Sequence, residues 1–250
     1  MSGHSKWATI KHKKGALDKA RGKLFAKLIR QIEVAAREGG GDPSANATLR
    51  TMVQKARDAS VPQATIERAI KRGTGELEGA RYEQVSYEGY APGGVAIIVS
   101  CLTDNRNRTG AEVRTAFSRN GGSLAEPGAV SWQFQRRGQI RVARRADEDE
   151  LLQAALAAGA EDLTDDGETW LVSTQPNDLA AVREALEAAG FSIESAELEL
   201  VPQTVVPVED PQEARRVLRL IEALEDLDDV QEVIANFDMP ESLLEELAAE

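Results

Sequence analysis

The sequence predicts an α+β protein of three domains, in which a small helical domain precedes a sheet domain that is itself interrupted by a second sheet domain. Three observations predict this class. Apolar residues recur at helical spacing in the first 75 residues, strand-like segments begin near residue 82, and the order βαββαβ runs from residue 138 to residue 201. A chain of 250 residues is long enough for two or three such domains.

The first domain, residues 1–80, is predicted to be a basic arm followed by three helices. Residues 1–16 have no apolar repeat and are expected to be extended or partly disordered. The first helix is predicted over residues 17–38 from an apolar stripe at helical spacing, formed by Phe25, Leu28, Ile29 and Ile32. Asp42 and Pro43 suggest the start of a second helix, and a third is predicted over residues 62–72.

The middle domain is predicted to be discontinuous, with residues 81–135 plus 203–250 forming one α/β sheet. Its first part has strands at 82–90, 94–103 and 129–134 and a helix at 107–120. The C-terminal part has strands at 204–208 and 230–237, a helix at 211–224 and a frayed helical tail at 242–250. Because this C-terminal part is too small to fold alone, we expect it to complete the sheet that begins at residue 82.

The inserted domain, residues 136–202, is predicted to be a ferredoxin-like βαββαβ module. Strands are expected at 139–143, 161–164, 168–174 and 192–200, and helices at 147–158 and 177–189. Asp166 and Gly167 form the turn of the central hairpin.

Composition and charge exclude several classes of protein. The longest apolar runs, 95–99 and 154–158, are too short to cross a bilayer, and the first 15 residues lack the apolar core of a secretory signal. Residues 1–80 carry 16 basic and 8 acidic side chains, whereas residues 146–250 carry 4 basic and 29 acidic ones. The basic N-terminal part of the chain predicts a polyanionic partner. A solvated acidic domain beside an ordinary basic one is the alternative interpretation.

The sequence predicts no catalytic residue, metal ligand or cofactor site. Cys101 lies in an apolar strand and is expected to be an inert core residue. His4 and His12 both lie in the basic arm, without neighbouring carboxylates or thiols that would complete a metal site. The acidic run at residues 225–229 is interpreted as a solvated helix end rather than a weak cation site.

The predicted nucleic-acid-binding site is the basic N-terminal segment together with two arginines after the central strand. Lysine and arginine supply charge for phosphates, an aromatic ring can stack on a base, and polyanions favour a helix N-terminus. The predicted site residues are Lys6, Trp7, Lys11, His12, Lys13, Lys14, Lys19, Lys23, Lys27, Arg30, Arg106 and Arg108. In the alternative interpretations, Trp7 packs the arm onto the helical domain, and Asn105 or Asn107 simply caps the following helix.

The second and third helices also fit a helix-turn-helix. In that arrangement the second of them would present Gln63, Thr65, Arg68 and Arg72 to DNA bases. A compact three-helix core explains the same pattern, so the sequence leaves base readout open.

Several segments together resemble the YebC/PmpR family of bacterial regulatory proteins. They are GHSKWATIKHKKGALDKARGKLFAKLIRQI at 3–32, VPQATIERAIKRGTGE at 61–76, YEGYAPGGVAIIV at 87–99, LTDNRNRTGAEVRTAFSRNGGSL at 102–124, GAVSWQF at 128–134 and LEDLDDVQEVIANFD at 224–238. Ala91 stands where the family usually has glycine, and Gln63 replaces a common lysine.

This resemblance implies a cytoplasmic, non-enzymatic DNA-binding transcriptional regulator with three domains, the third inserted into the second. Similar mitochondrial proteins are translational activators for a cytochrome oxidase subunit, and some bacterial members are linked to ribosomes stalled on proline-rich stretches. A ribosome-associated translation factor acting on ribosomal RNA is therefore the alternative function. An enzyme with an acidic cleft is a third hypothesis. The expected partner is nucleic acid, with no membrane and no small-molecule substrate.

Overall fold

The computed structural model describes residues 17–249 of the chain, so the predicted arm at residues 1–16 lies outside the described part. The described residues form two compact units. The first contains residues 17–129 with 210–234, and the second contains residues 130–209 with 235–249. Helices and largely antiparallel sheets occur together, which confirms the predicted α+β class. The boundaries of the three predicted domains stay a prediction.

The helical part of the first unit comprises α1 (Leu17–Gly39), α2 (Ala47–Asp58) and α3 (Gln63–Thr74). Their apolar faces meet in a core of their own, in which Ile32, Leu49 and Ile66 are fully buried. The predicted start of α2 is wrong. Its N-cap is Asn46, whose Oδ1 accepts a hydrogen bond from the Leu49 backbone N–H at 3.0 Å, while Asp42 closes the preceding turn.

The remaining elements are, in chain order, β1 (Glu83–Tyr90), β2 (Ala96–Thr103), α4 (Arg106–Arg119), β3 (Ser123–Ala125), β4 (Phe134–Ala143), α5 (Glu148–Ala157), β5 (Asp162–Asp165), β6 (Thr169–Thr174), α6 (Leu179–Ala188), β7 (Ile193–Pro202), β8 (Val206–Pro207), α7 (Pro211–Glu225), β9 (Val230–Ala235), β10 (Phe237–Asp238) and α8 (Glu241–Ala249).

The sheet of the first unit has the strand order β3-β1-β2-β9. β1 and β2 are antiparallel, with Glu83 opposite Thr103 and Tyr90 opposite Ala96. β2 is almost entirely buried, as its apolar sequence predicts for a central strand. β9 pairs beside β2, so a C-terminal segment joins the sheet that begins at residue 83. α4 lies against β1 and β3, and α7 packs beside α4.

One predicted strand near residue 130 is wrong, and one short strand was missed. Residues 131–133 form a single 3₁₀ turn rather than a strand, and Phe134 then begins the long strand β4. The short strand β3 was not predicted, because three residues are too few to show an alternating pattern.

The second unit contains a four-stranded sheet of order β5-β6-β4-β7, covered by α5 and α6. The chain order β4-α5-β5-β6-α6-β7 is the predicted βαββαβ sequence. β8 and β10 form a separate parallel pair. The predicted C-terminal helix is present as α8, but it packs rather than frays at Leu243 and Leu244, which are buried. Within residues 17–249, no helix combines the length and the apolarity that a membrane span requires.

Candidate nucleic-acid interface

The predicted site residues of the arm, Lys6, Trp7, Lys11, His12, Lys13 and Lys14, lie outside the described residues. The backbone of Lys19 belongs to the first turn of α1. The structure describes the side chains of the other five predicted residues: three lie on α1 and two lie at the start of α4.

Lys23, Lys27 and Arg30 lie on one face of α1, as their spacing predicts, and all three contact the segment at the C-terminal end of α7. We call this segment, Glu225–Asp229, the acidic turn. The side-chain nitrogen of Lys23 lies 2.7 Å from Asp226 Oδ1 and 3.0 Å from the Asp226 carbonyl oxygen. Lys27 donates to the carbonyl oxygen of Glu225 at 3.2 Å.

Arg30 extends this contact to the end of the acidic turn. Its Nη1 donates to the carbonyl oxygen of Asp228 and lies 3.1 Å from Asp229 Oδ1. The last carbonyls of a helix lack partners within the helix and carry the negative end of its dipole. Because α7 ends at Glu225, cations from α1 are attracted to its C-terminus by both the backbone and the carboxylates.

Asp229 is the buried centre of this cluster, with its side chain only 3% exposed. Its Oδ2 accepts hydrogen bonds from Thr109 Oγ1 at 2.6 Å, Arg108 Nη2 at 2.6 Å and Thr103 Oγ1 at 3.1 Å. Burial by itself raises the pKa of Asp229, but these hydrogen bonds outweigh burial and hold the pKa below its ordinary value. Asp229 therefore stays ionised and joins α1 to the end of β2 and the start of α4.

The two arginines at the start of α4 have different surroundings. Arg106 is largely exposed, and its guanidinium lies 3.6 Å from a carboxylate oxygen of Glu83. Arg108 pairs with both Asp229 and Asp104, and hydrogen bonds to these two carboxylates raise its pKa. Asn105 caps α4 by accepting from the Arg108 backbone N–H at 3.1 Å, which confirms the capping interpretation for Asn105.

A polar cavity of about 480 Å³ opens beside this cluster. The guanidinium of Arg30 stands over the ring of Tyr82, 5.6 Å from its centroid. The lining residues are Arg30, Tyr82, Asp104, Arg108, Glu112, Asp226, Leu227, Asp228 and Asp229. The arginines of the cavity are thus already balanced by carboxylates of the same chain.

Of the side chains proposed for base readout on α3, Arg72 contacts α1, whereas Gln63 and Arg68 are exposed and contact only their own helix. Arg72 Nε lies 3.1 Å from the carboxylate of Glu33, whose side chain is 3% exposed. Arg68 donates to the Ala64 carbonyl at 3.4 Å, and Gln63 donates to Glu67 at 3.0 Å. The apolar core shared by α1, α2 and α3 supports the compact three-helix interpretation.

Comparison with known proteins decides the family. Residues 5–76 match the model of the TACO1/YebC protein N-terminal domain, and residues 82–237 match the model of the TACO1/YebC second and third domain. The chain belongs to the TACO1/YebC family. Its helical part and its sheets thus correspond to separate family models.

Relatives in the TACO1/YebC family resemble the chain over its whole length. A protein of Beutenbergia cavernae is 58% identical over 250 residues, covering 99% of each chain. A protein of Geobacter sulfurreducens is 53% identical over 247 residues, covering 99% of this chain and 100% of its own. Both are named probable transcriptional regulatory protein.

A solved structure of similar sequence has the same fold. The crystal structure of a conserved hypothetical protein from Aquifex aeolicus superposes with a TM-score of 0.79 at 50% sequence identity. The match covers 89% of this chain and 92% of that one.

Cys101 of this TACO1/YebC chain is a core residue, as predicted. It is fully buried in β2, and burial, with a smaller contribution from the charge of Asp229, raises the pKa of its thiol to about 12. Among the side chains that the structure describes, no group of three or more His, Cys, Asp or Glu residues could hold a metal ion.

The residues that sequence reasoning missed are the anionic partners of α1. The acidic turn is not simply solvated, because Asp229 is buried and the backbone carbonyls of Glu225, Asp226 and Asp228 accept from α1. The sequence gives part of the signal for Asp229, which directly precedes β9 and its buried first residue, Val230.

Proposed function

We propose that this TACO1/YebC chain is a non-enzymatic, cytoplasmic regulator of gene expression that binds DNA and contacts phosphates through its basic N-terminal domain. The names of its relatives support a regulatory role. Nucleic-acid binding is supported above all by one observation: Lys23, Lys27 and Arg30 converge on oxygen acceptors along one face of α1. The oxygens of a phosphodiester are acceptors of the same kind and, like those of a carboxylate, share one negative charge.

The proposed contact surface includes the residues on either side of this face. The lysines of the arm precede α1 directly in sequence and add further positive charge. Arg106 is exposed at the N-terminus of α4, where the backbone dipole also favours an anion. Arg108 contributes less in this proposal, because two carboxylates already neutralise it.

The test is the salt dependence of binding to a fluorescently labelled DNA duplex, measured by anisotropy with the full chain. If about six phosphates are neutralised, log affinity falls against log salt concentration with a slope of roughly −5. A flat response would refute phosphate binding.

The double variant Lys23→Gln with Lys27→Gln locates the contact. Removing two phosphate contacts makes the slope shallower by roughly 1.8, in addition to weakening the binding. Arg114→Gln with Arg119→Gln is the matched control, because it removes the same charge from exposed positions on α4. An unchanged slope in the lysine variant would show that the α1 face is not the site.

A ribosome-associated translation factor is the second candidate function. The observation that favours it is that Arg72 of α3 is paired with the buried carboxylate of Glu33 on α1. Sequence readout in the DNA major groove needs such side chains to reach base edges, whereas structured RNA is recognised mainly through its shape and backbone.

Cosedimentation with ribosomes, compared with a DNA mobility shift at the same salt concentration, separates the two candidates. Retention on ribosomes at a salt concentration that releases DNA would favour ribosomal RNA as the target. The reverse result would favour DNA.

A further inference from the structure

We propose that the acidic turn is an intramolecular competitor of nucleic acid, which covers the cationic face of α1 until a polyanion displaces it. The inference rests on the proposed function, since it concerns the regulation of the same site. The proposal rests on three observations: the atoms of α1 that the turn contacts, the polar character of this contact, and the separate apolar core of the helical bundle.

The acidic turn occupies the atoms that a phosphate chain would use. The Lys23 ammonium, the Lys27 ammonium and the Arg30 guanidinium each bind oxygen of the turn, through carboxylates of Asp226 and Asp229 and through backbone carbonyls. Lys23 and Arg30 are seven residues apart, which corresponds to about 10 Å along the helix. Three nucleotides of one strand rise by about the same length, so the turn matches a short stretch of phosphates.

The contact can open without unfolding either partner. The helical bundle has its own apolar core, formed by residues between Phe25 and Ile70, so its folding does not depend on the acidic turn. The contacts described above are ion pairs and hydrogen bonds. The Lys23–Asp226 pair is solvent-exposed, with side chains 29% and 74% exposed, so it is weak and is screened by salt.

The acidic turn is also fixed to the sheet and to α4, independently of α1. The Oδ2 atom of Asp229 is held by Thr103, Thr109 and Arg108, and the backbone carbonyl of Asp229 accepts from the Leu102 N–H at 2.9 Å. When α1 leaves, Asp229 loses only Arg30 and keeps these partners. The turn therefore keeps its position and its charge, and it competes for α1 at a high effective concentration.

The experiment removes the two exposed charges of the turn and keeps Asp229. In the full chain, Asp226→Asn with Asp228→Asn is expected to bind the labelled DNA duplex roughly three- to tenfold more tightly than the unmodified chain, since exposed ion pairs contribute modestly. Asp149→Asn with Glu184→Gln is the matched control. It makes the same change in net charge at exposed positions in the second unit, and its affinity should be nearly unchanged.

A second measurement follows the movement of α1 directly. Donor and acceptor dyes on Gln54→Cys and Ser118→Cys label exposed positions in the bundle and on α4, while the buried Cys101 resists labelling. Energy transfer should change when saturating DNA is added. The Asp226→Asn, Asp228→Asn chain should reach the same change at a lower DNA concentration.

The outcomes distinguish the two proposals. If the unmodified chain binds DNA with a steep salt dependence but the turn variant binds no more tightly than the control, the competitor proposal is wrong and the proposed function stands. Energy transfer that is unaffected by saturating DNA overturns the competitor proposal in the same way. If neither chain binds at any salt concentration, the proposed function is wrong and the competitor proposal fails with it.

Discussion

Replacing Asp229 by alanine should destabilise the first unit more than any other single change in the acidic turn. Four side chains from three parts of the chain use its carboxylate: Arg30 from α1, Thr103 from β2, and Arg108 and Thr109 from α4. Removing one partner of a buried ion pair leaves the opposite charge and its hydrogen-bonding groups without compensation.

The magnitude follows from what each partner retains. Loss of a buried ionic partner costs about 3–5 kcal/mol. The two threonine hydroxyls still bond each other at 2.7 Å, and Arg108 keeps Asp104, so the loss should lie near the lower limit. We therefore expect Asp229→Ala to lower the free energy of unfolding by about 3 kcal/mol, a large fraction of the 5–15 kcal/mol typical of a folded protein.

Urea denaturation followed by far-ultraviolet circular dichroism measures this loss. The transition midpoint should move to lower urea at an unchanged slope. Asp226→Ala is the control from the same turn, and because its side chain is 74% exposed we expect a change of about 1 kcal/mol or less. Equal midpoints for the two variants would refute the view that Asp229 is the structural centre of the cluster.

Three further predictions follow from burial and packing. The pKa of Asp229 is lowered in the folded chain, because its hydrogen bonds outweigh the opposite effect of burial. Its contribution to stability is therefore complete above the unfolded-state pKa of about 3.9 and is lost as the pH falls through the lower folded-state value. Below about pH 4, urea midpoints should fall more steeply for the unmodified chain than for Asp229→Asn. Gly73→Ala places a Cβ 2.5 Å from the Glu33 carbonyl oxygen and should cost about 1–3 kcal/mol in thermal denaturation, whereas Gly22→Ala, which meets no atom within 4 Å, should not destabilise. Cys101 should not react with Ellman's reagent in the folded chain and should react fully in urea, and rapid reaction of the native chain would contradict the burial described here.

Local sequence patterns predict the structure correctly where it depends on contacts between residues close in sequence. The apolar stripe of α1 predicts a helix over residues 17–38, and the helix observed is Leu17–Gly39. The start of α2 could not be predicted in this way. Asp42 and Pro43 suit a turn as well as a helix start, and Asn46 becomes the cap because its side-chain amide also donates to the Ala35 and Gly40 carbonyls at the end of α1.

The candidate site shows more clearly what local sequence patterns cannot predict. Helical spacing correctly places Lys23, Lys27 and Arg30 on one face, but their partners lie about 200 residues later in the chain. A run of acidic residues does not reveal which of its members is buried. Asp229 is buried because Thr103 and Thr109, which are brought together by the β2–α4 connection, supply hydroxyl donors that the sequence does not connect with it.

The end of α7 and a phosphate chain offer lysine the same chemistry, namely oxygen acceptors in a negative potential. The contacts of Lys23 and Lys27 with the acidic turn are therefore compatible both with a structural role and with a ligand-binding role. The two roles predict different results for the same double variant. A purely structural role requires Lys23→Gln with Lys27→Gln to change the docking of α1 and leave the salt slope of DNA binding intact, whereas a binding role requires the slope itself to decrease. Measuring energy transfer and salt slope on the same chain therefore separates the residues that hold α1 in place from those that hold the ligand.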